Sequence, residues 1–371
     1  MSLRKVKFLL PVEEIESSAI DQIKAIAELD FVERMAIMPD VHAGYDMPIG
    51  GVALTNGVIS PAWVGYDIGC GVLFQDTGIP LEKFDDAIPD RQKLMDRLYQ
   101  VVPVGTNRFA DRPVGSFRSA LGDKVLDQEV QANEHVQLGT LGSGNHFLEI
   151  GVTRAGTIGI TIHSGSRNLG HRICTHYLKH AKWFSSKHDM GRAYYEDMQF
   201  ALAWALASRV AMLRAVGDLL EAFGLRAVSS WLGPDKPFIN VNHNHASLLL
   251  GRGQVIHRKG ATPAHAGSFG VIPGNMRDGV YVVRGLGNDD YLCSCSHGAG
   301  RAMGRKEAKR RLALEDFQQT MGQAGVLAKV SENTLDEAPG AYKDIETVVS
   351  RQEGVVVEVV DFVRPIINIK G

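Results

Sequence analysis

A chain of 371 residues with 44% hydrophobic content is long enough to bury a large core. Its 40 basic and 42 acidic residues leave a formal charge of −2, so overall charge recruits no polyanion and any nucleic-acid contact must come from a local basic surface. Four cysteines (Cys70, Cys174, Cys293, Cys295) are too few for a disulfide framework, and the opening residues lack the apolar stretch of a secretory leader; the expected location is the cytoplasm.

Along the chain, apolar spacing predicts a helix over 15–29. From 38 to 74, short β-branched runs cut by glycines predict strands and tight turns. A helix is expected over 90–101 and an exposed loop over 107–123. Strands are expected at 147–150, 158–162, 238–241, 254–258, 280–284, 355–360 and 366–369. The stretch 192–223 reads as a helix or helix pair, and another helix is expected over 303–322. Within the former, 198–206 is the most apolar helix segment, but Glu196, Asp197 and Arg209 bracket it too closely for a membrane span. His176, His180 and His188 fall on a predicted helix as surface or packing residues. No repeat or linker interrupts the chain, and the irregular alternation of elements favours a single α+β domain over 1–371 rather than a doubly wound sheet.

Chemistry concentrates in five clusters, each embedding a histidine or cysteine among small, turn-forming residues: Asp67 with Cys70, Asn145 with His146, His163 with Arg167, Asn242 to His245, and His297 with Gly298, Ala299, Gly300 and Arg301. The last suits a phosphate, because glycines let backbone N–H groups approach and arginine supplies a planar fork of donors. Asp67 and Cys70 share one tight turn, and a thiolate can bridge two metals. His146, His163 and His243 each begin or end a strand-like run, so the set offers nitrogen, sulfur and oxygen donors suited to zinc or manganese. His297 reads as a ligand, a general base or a nucleophile. Arg301, Arg305 and Lys309 recur every four residues, which would set them on one helix face as a phosphate-steering row. Cys293 and Cys295, two apart on a strand, are expected to be small buried residues.

The ordered motifs Met38-Pro-Asp-Val-His42, Val64-Gly-Tyr-Asp67-Ile-Gly-Cys70, Leu138-Gly-Thr-Leu-Gly-Ser-Gly-Asn145-His146-Phe147, His163-Ser-Gly-Ser-Arg167, Ile272-Pro-Gly274, Ser296-His297-Gly-Ala-Gly-Arg301, Ala341-Tyr-Lys-Asp-Ile345 and Lys370-Gly371 resemble those of the RtcB family of RNA ligases, over nearly the whole chain. The resemblance implies a single mixed-sheet α+β domain with a dinuclear metal site in a central cleft. It implies a GTP- and Mn2+-dependent ligase joining RNA 3′-phosphate or 2′,3′-cyclic phosphate ends to 5′-hydroxyl ends, in RNA repair or tRNA splicing. His297 would become guanylylated and pass GMP to the RNA 3′ end. One manganese would lie on Asp67, Cys70 and His146, and the second on Cys70, His163 and His243. Asn145, Glu149, Asn275, Gly298, Ala299, Gly300, Arg301, Tyr342 and Lys370 would contact the guanylate. An archease-type activator is a further implied partner; no membrane is.

Departures from the family pattern fall at Asn275 and Arg277, in place of a serine and a glycine, and at Asn168, Asn242 and His245. They bear on nucleotide preference, efficiency and RNA choice. The chain is also short for the family, which would trim RNA-binding surface. Two other enzyme readings keep the metal site without efficient ligation, a cyclic phosphodiesterase and a 3′-end guanylyltransferase. A non-catalytic RNA-end-binding module is the alternative outside enzymes.

Overall fold

Antiparallel register builds most of the molecule, a computed structural model that describes residues 3–109, 117–225, 238–249 and 251–371. The larger sheet has eight strands. It runs in the order Phe269–Pro273, Val280–Gly285, Val357–Ile369, Phe147–Val152, Thr157–Ser164, Gly71–Pro80, Phe238–Asn242, all antiparallel, with Leu327–Ala328 parallel beside Val357–Ile369. A five-stranded sheet runs Val6–Phe8, Val32–His42, Ile49–Asn56, Gln254–Lys259, Asn244–Leu249. Helices and sheets are mixed along the chain, as the irregular alternation predicts.

The helix Asp189–Ala222 packs across the larger sheet. Its buried positions Met198, Ala201, Leu202, Ala205, Met212, Val216, Leu219 and Leu220 follow the three-and-four spacing of one helix face. Met212, Val216 and Leu220 meet Leu148, Ile150, Ile160 and Ile162 from the sheet, and each such large side chain contributes about 1.5–3 kcal/mol on burial. The helix is long and apolar enough to cross a membrane by length and composition, but half of that apolar window lies inside the fold, with Asp197 and Arg209 themselves buried.

Several expectations need correction. The stretch 192–223 is one helix, not a pair. The helix expected over 303–322 is two, Arg305–Arg311 and Leu314–Ala324, broken where Leu312 turns extended. The strands expected at 355–360 and 366–369 are one, Val357–Ile369, which bends through a register shift at Pro365 to pair two neighbours. Of His176, His180 and His188 only the first lies in a helix, Asn168–Leu178. The loop over 107–123 is irregular where described, and 110–116 lies outside the described residues.

Candidate active site

The register of the larger sheet brings four ligand-type residues to one edge. His163 lies in Thr157–Ser164 opposite both Phe147 and Val72, and Asn242 lies opposite Gly71. His146, Cys70 and His243 sit one residue outside the strands bearing those partners, so all four converge. The Cys70 Sγ is 3.2 Å from His163 Nε2 and 3.5 Å from His146 Nε2. His146 Nε2 lies 3.1 Å from Asp67 Oδ2, and His163 Nε2 lies 3.3 Å from His243 Nε2.

Two of these rings are aimed by backbone carbonyls. His146 Nδ1 meets Leu141 O and His163 Nδ1 meets Asn145 O, each at 3.1 Å. With Nδ1–H donating outward, each Nε2 turns a lone pair toward the cluster, the arrangement that serves a cation. Burial, with repulsion from His146 for His163 and from His297 for His243, holds both imidazoles well below the usual histidine range and hence neutral. Burial and the neighbouring Asp67 push the Cys70 thiol up. Burial acts to raise the Asp67 carboxyl, but His146, Cys70 and His163 together outweigh it and bring the group to about 2. Neutral imidazoles, a carboxylate and a buried sulfur with converging donor atoms fit a metal, and Cys70, His146 and His163 lie within 4.8 Å of one another.

Arg209, fully buried, holds the edge together. It donates to Gly69 O at 3.1 Å, Ser164 O at 2.7 Å, Asn240 Oδ1 at 2.7 Å and Asn242 Oδ1 at 2.6 Å. The turn before Cys70, the strand bearing His163 and the strand leading to His243 thus share one guanidinium. In the sequence Arg209 stands out only as a charge bracketing the apolar segment 198–206.

His297 stands beside this cluster, its ring 4.9 Å from that of His243. Its Nδ1 lies 2.6 Å from Asp40 Oδ2, which also accepts from His297 N at 3.1 Å, while Asp40 Oδ1 accepts from Ser296 Oγ at 2.9 Å. Burial tends to raise the Asp40 carboxyl, but the hydrogen bonds from His297 and Ser296 win and hold it low. An ionised Asp40 favours the proton on Nδ1 and leaves Nε2 with its lone pair free. Gly260, at φ 58°, gives the ring room: a Cβ there would stand 3.1 Å from His297. Asp40 had a signal in the sequence, the Met38-Pro-Asp-Val-His42 motif, but no role was read from it.

A cleft of ≈ 350 Å³ joins the cluster, His297 and the expected nucleotide residues Asn145, Glu149, Asn275, Gly298, Ala299, Gly300, Arg301, Tyr342 and Lys370. His146 adjoins this lining through Cys70 and Asp67. Among these expected nucleotide residues sits a buried carboxylate that sequence reasoning missed. Glu337, 3% exposed at its side chain, accepts from Lys370 Nζ at 2.5 Å, Tyr342 OH at 2.5 Å, and Arg305 and Arg301 Nη1 at 2.6 and 3.2 Å. Burial opposes its ionisation, yet Lys370 and Arg305 bring it to about 2. The expected basic row is therefore not a free helix face. Arg301 precedes the helix Arg305–Arg311, and Arg305 and Lys309 pair with Asp336. Glu149 stands across the sheet from Asn368, whose Nδ2 donates to its Oε2 at 2.9 Å; burial pushes its carboxyl up to about 8.

The family model described as tRNA-splicing ligase RtcB matches residues 22–131 and 112–371. The chain belongs to the RtcB family. It is 34% identical to the RNA-splicing ligase RtcB of Escherichia coli K12, across 96% of this chain and 95% of that protein. It is 30% identical to the RNA-splicing ligase RtcB of Mycobacterium tuberculosis, across 94% and 100%. It is also 30% identical to the tRNA-splicing ligase RtcB of Pyrobaculum aerophilum, across 90% and 87%.

Within this RtcB-family chain the departures have local explanations. Asn242 serves Arg209. His245 is buried opposite Arg258 in the smaller sheet and does not line the cleft. The Asn275 amide is occupied by its own turn: Oδ1 accepts from the backbone N–H of Arg277 and Asp278 at 2.9 and 3.2 Å, and Nδ2 donates to Asp278 Oδ2 at 2.6 Å. Asn168 begins the helix Asn168–Leu178, its N–H donating to Gln137. Arg167, at φ 58°, donates to Gly105 O at 3.0 Å outside the cleft lining. Cys293 lies outside the strand Ser294–Ser296 with a left-handed φ of 46°, so it does not share a strand face with the buried Cys295.

Proposed function

We propose that the chain is an RNA ligase, one domain over 1–371, that joins RNA 3′-phosphate or 2′,3′-cyclic phosphate ends to 5′-hydroxyl ends at the expense of GTP, in RNA repair or tRNA splicing. The observation that carries this reading is the adjacency of His297, with its Nδ1 bound to a buried carboxylate, to the Asp67–Cys70–His146–His163–His243 cluster. Membership of a family whose relatives are named RNA-splicing ligases supports it.

His297 Nε2 attacks the α-phosphorus of GTP. The N–P bond forms as the bond from the α-phosphorus to the bridging oxygen breaks, and pyrophosphate leaves. Asp40 stabilises the positive charge that the imidazole acquires and holds the ring in line. GMP then passes from His297 to the RNA 3′-phosphate, and the 5′-hydroxyl attacks that activated phosphorus, expelling GMP. A cyclic phosphate is opened by water beforehand. Two Mn2+, one on Asp67, Cys70 and His146 and one on Cys70, His163 and His243, would supply charge neutralisation to the phosphate oxygens and Lewis-acid activation. Arg301, Gly298 and Gly300 line the cleft beside His297 and would face the phosphates, while the Ala299 N–H is held by Pro273 O. Glu149, Tyr342 and Lys370 contact the guanylate, with Asn145 and Asn275 beside it.

The test is product analysis: RNA halves with a 3′-phosphate and a 5′-hydroxyl, incubated with GTP and Mn2+. Joined RNA that depends on His297 supports ligation. Opened cyclic phosphate or a guanylated 3′ end without joining would replace it with one of the non-ligating enzyme readings.

A further inference from the structure

Two aromatic rings at the mouth of the cleft, and a third stacked beside them, have no part in the chemistry above. Tyr45 is 54% exposed and Tyr66 is 37% exposed, and both line the cleft that holds His297 and Cys70. Their ring centroids are 5.6 Å apart at 53°, and Tyr66 continues onto exposed His171, stacked at 5.0 Å and 27°. Tyr66 immediately precedes the metal-ligand candidate Asp67, so the row starts where the reacting phosphate would lie.

The exposure of Tyr45 is not the exposure of a loose loop. Its neighbours are tied on every side. Gly44 exchanges two hydrogen bonds with the Gln22 amide, at 2.6 and 3.1 Å, and Ala43 N donates to Glu16. Asp46 pairs with Lys182, Met47 is fully buried, and the Tyr45 carbonyl accepts from both Met47 N and the buried Lys259 ammonium. Tyr66 sits on the equally fixed turn between Gly65, at φ 82°, and Cys70. A ring of this size left in water by a rigid backbone forgoes its burial energy, yet a second flat ring laid on it recovers that energy at little entropic cost. Aromatic pairs favour offset or tilted contacts, so a row of partly exposed rings suits a further flat π-system better than aliphatic side chains.

We propose that Tyr45 and Tyr66, continued by His171, form a stacking platform for unpaired nucleobases of the RNA strand whose end enters the cleft. The inference rests on the RNA-ligase reading for its ligand, and it concerns the bases rather than the reacting phosphate or the GTP. The guanylate residues Tyr342 and Lys370 gather around Glu337, whereas Tyr45 and Tyr66 contact each other, Lys259 and His171; the two groups share no side-chain contact. Stacking is indifferent to base identity, because every base has a π-face. The platform therefore accepts a frayed or single-stranded end and places little demand on its sequence.

The experiment uses the Mn2+-loaded protein without GTP, so that no turnover enters. A short single-stranded RNA ending in a 3′-phosphate carries 2-aminopurine at the terminal base, and a matching RNA is abasic there. Wild type, Tyr45→Phe and Tyr66→Phe should quench the 2-aminopurine and bind with equal affinity. Tyr45→Ala and Tyr66→Ala should lose the quenching and bind about 5–150-fold more weakly, the range of one base-on-aromatic stack. Abasic RNA should bind wild type and the alanine variants alike. The proposal is overturned if wild type does not quench, if the alanine variants bind as wild type does, or if they lose as much affinity for abasic RNA. Matched circular dichroism and melting temperature exclude misfolding as the cause of a loss. Labelling of His297 by GTP needs no RNA, so failure of the platform and failure of the ligase reading are read separately.

Discussion

His297 Nδ1 and Asp40 Oδ2 lie 2.6 Å apart, and the carboxylate has no exposed surface. Both Asp40 oxygens are committed, one to Ser296 Oγ and one to the His297 ring and backbone. The pair sets which ring nitrogen carries the proton, and so which one attacks. Asp40→Asn keeps the shape but removes the charge that stabilises a developing imidazolium. Guanylylation of His297 in a single turnover should fall by about 10²–10⁴-fold, with GTP affinity little changed. Unchanged labelling would mean that Asp40 only fills space.

The metal cluster predicts a graded loss of metal. Cys70→Ala removes the donor proposed for both ions, so bound Mn2+ measured by mass spectrometry should fall below one per chain. His146→Ala and His243→Ala each remove one donor from one site and should leave about one ion bound. Equal loss in all three variants would contradict the bridging role of Cys70.

Arg209 is a test of the scaffold. Arg209→Met strips donors from Gly69 O, Ser164 O and the two asparagines, leaving buried acceptors unpaired at about 1–3 kcal/mol each. Chemical denaturation should show a loss of at least about 3 kcal/mol, and Mn2+ affinity should fall although no ligand is touched.

Glu149 carries a pH signature. Its folded carboxyl is pushed up to about 8 by burial, against an ordinary 4.5, although Asn368 and Lys370 oppose the shift. Below about pH 4.5 the group is protonated in both states. As pH rises toward 8 the unfolded chain releases the proton while the folded chain keeps it, so stability declines across that window, by at most about 5 kcal/mol. Glu149→Gln lacks this decline. The nucleotide-free variant should match wild type at pH 4.5 and melt higher than it at pH 8.

The parts of this site that were legible in the sequence are those where chemistry and local conformation coincide. Asp67, Cys70, His146, His163 and His243 lie among small, turn-forming residues at or beside strand ends, and such sequences announce residues turned from a sheet edge toward a pocket. Asp40 and Glu337 were missed because each gains its role from partners far along the chain, His297 and Lys370, which only the folded register brings near. Arg209 was missed because a buried arginine on an apolar helix looks like any polar interruption until its four acceptors are visible. The basic row after His297 misled for the same reason: Asp336 and Glu337, which pair with it, lie on a later segment. For the fold, strands with β-branched runs were found closely. The break within 303–322 and the continuity of Val357–Ile369 depend on an extended Leu312 and a bulge that periodicity does not register.

The central claim is that His297 takes a guanylyl group from GTP. The direct measurement is incubation of the Mn2+-loaded protein with α-labelled GTP, followed by denaturing electrophoresis, for wild type and His297→Ala. The account predicts label on wild type, lost in the variant and released on addition of RNA bearing a 3′-phosphate. Absence of label on wild type with manganese bound, or label persisting in His297→Ala, would contradict it.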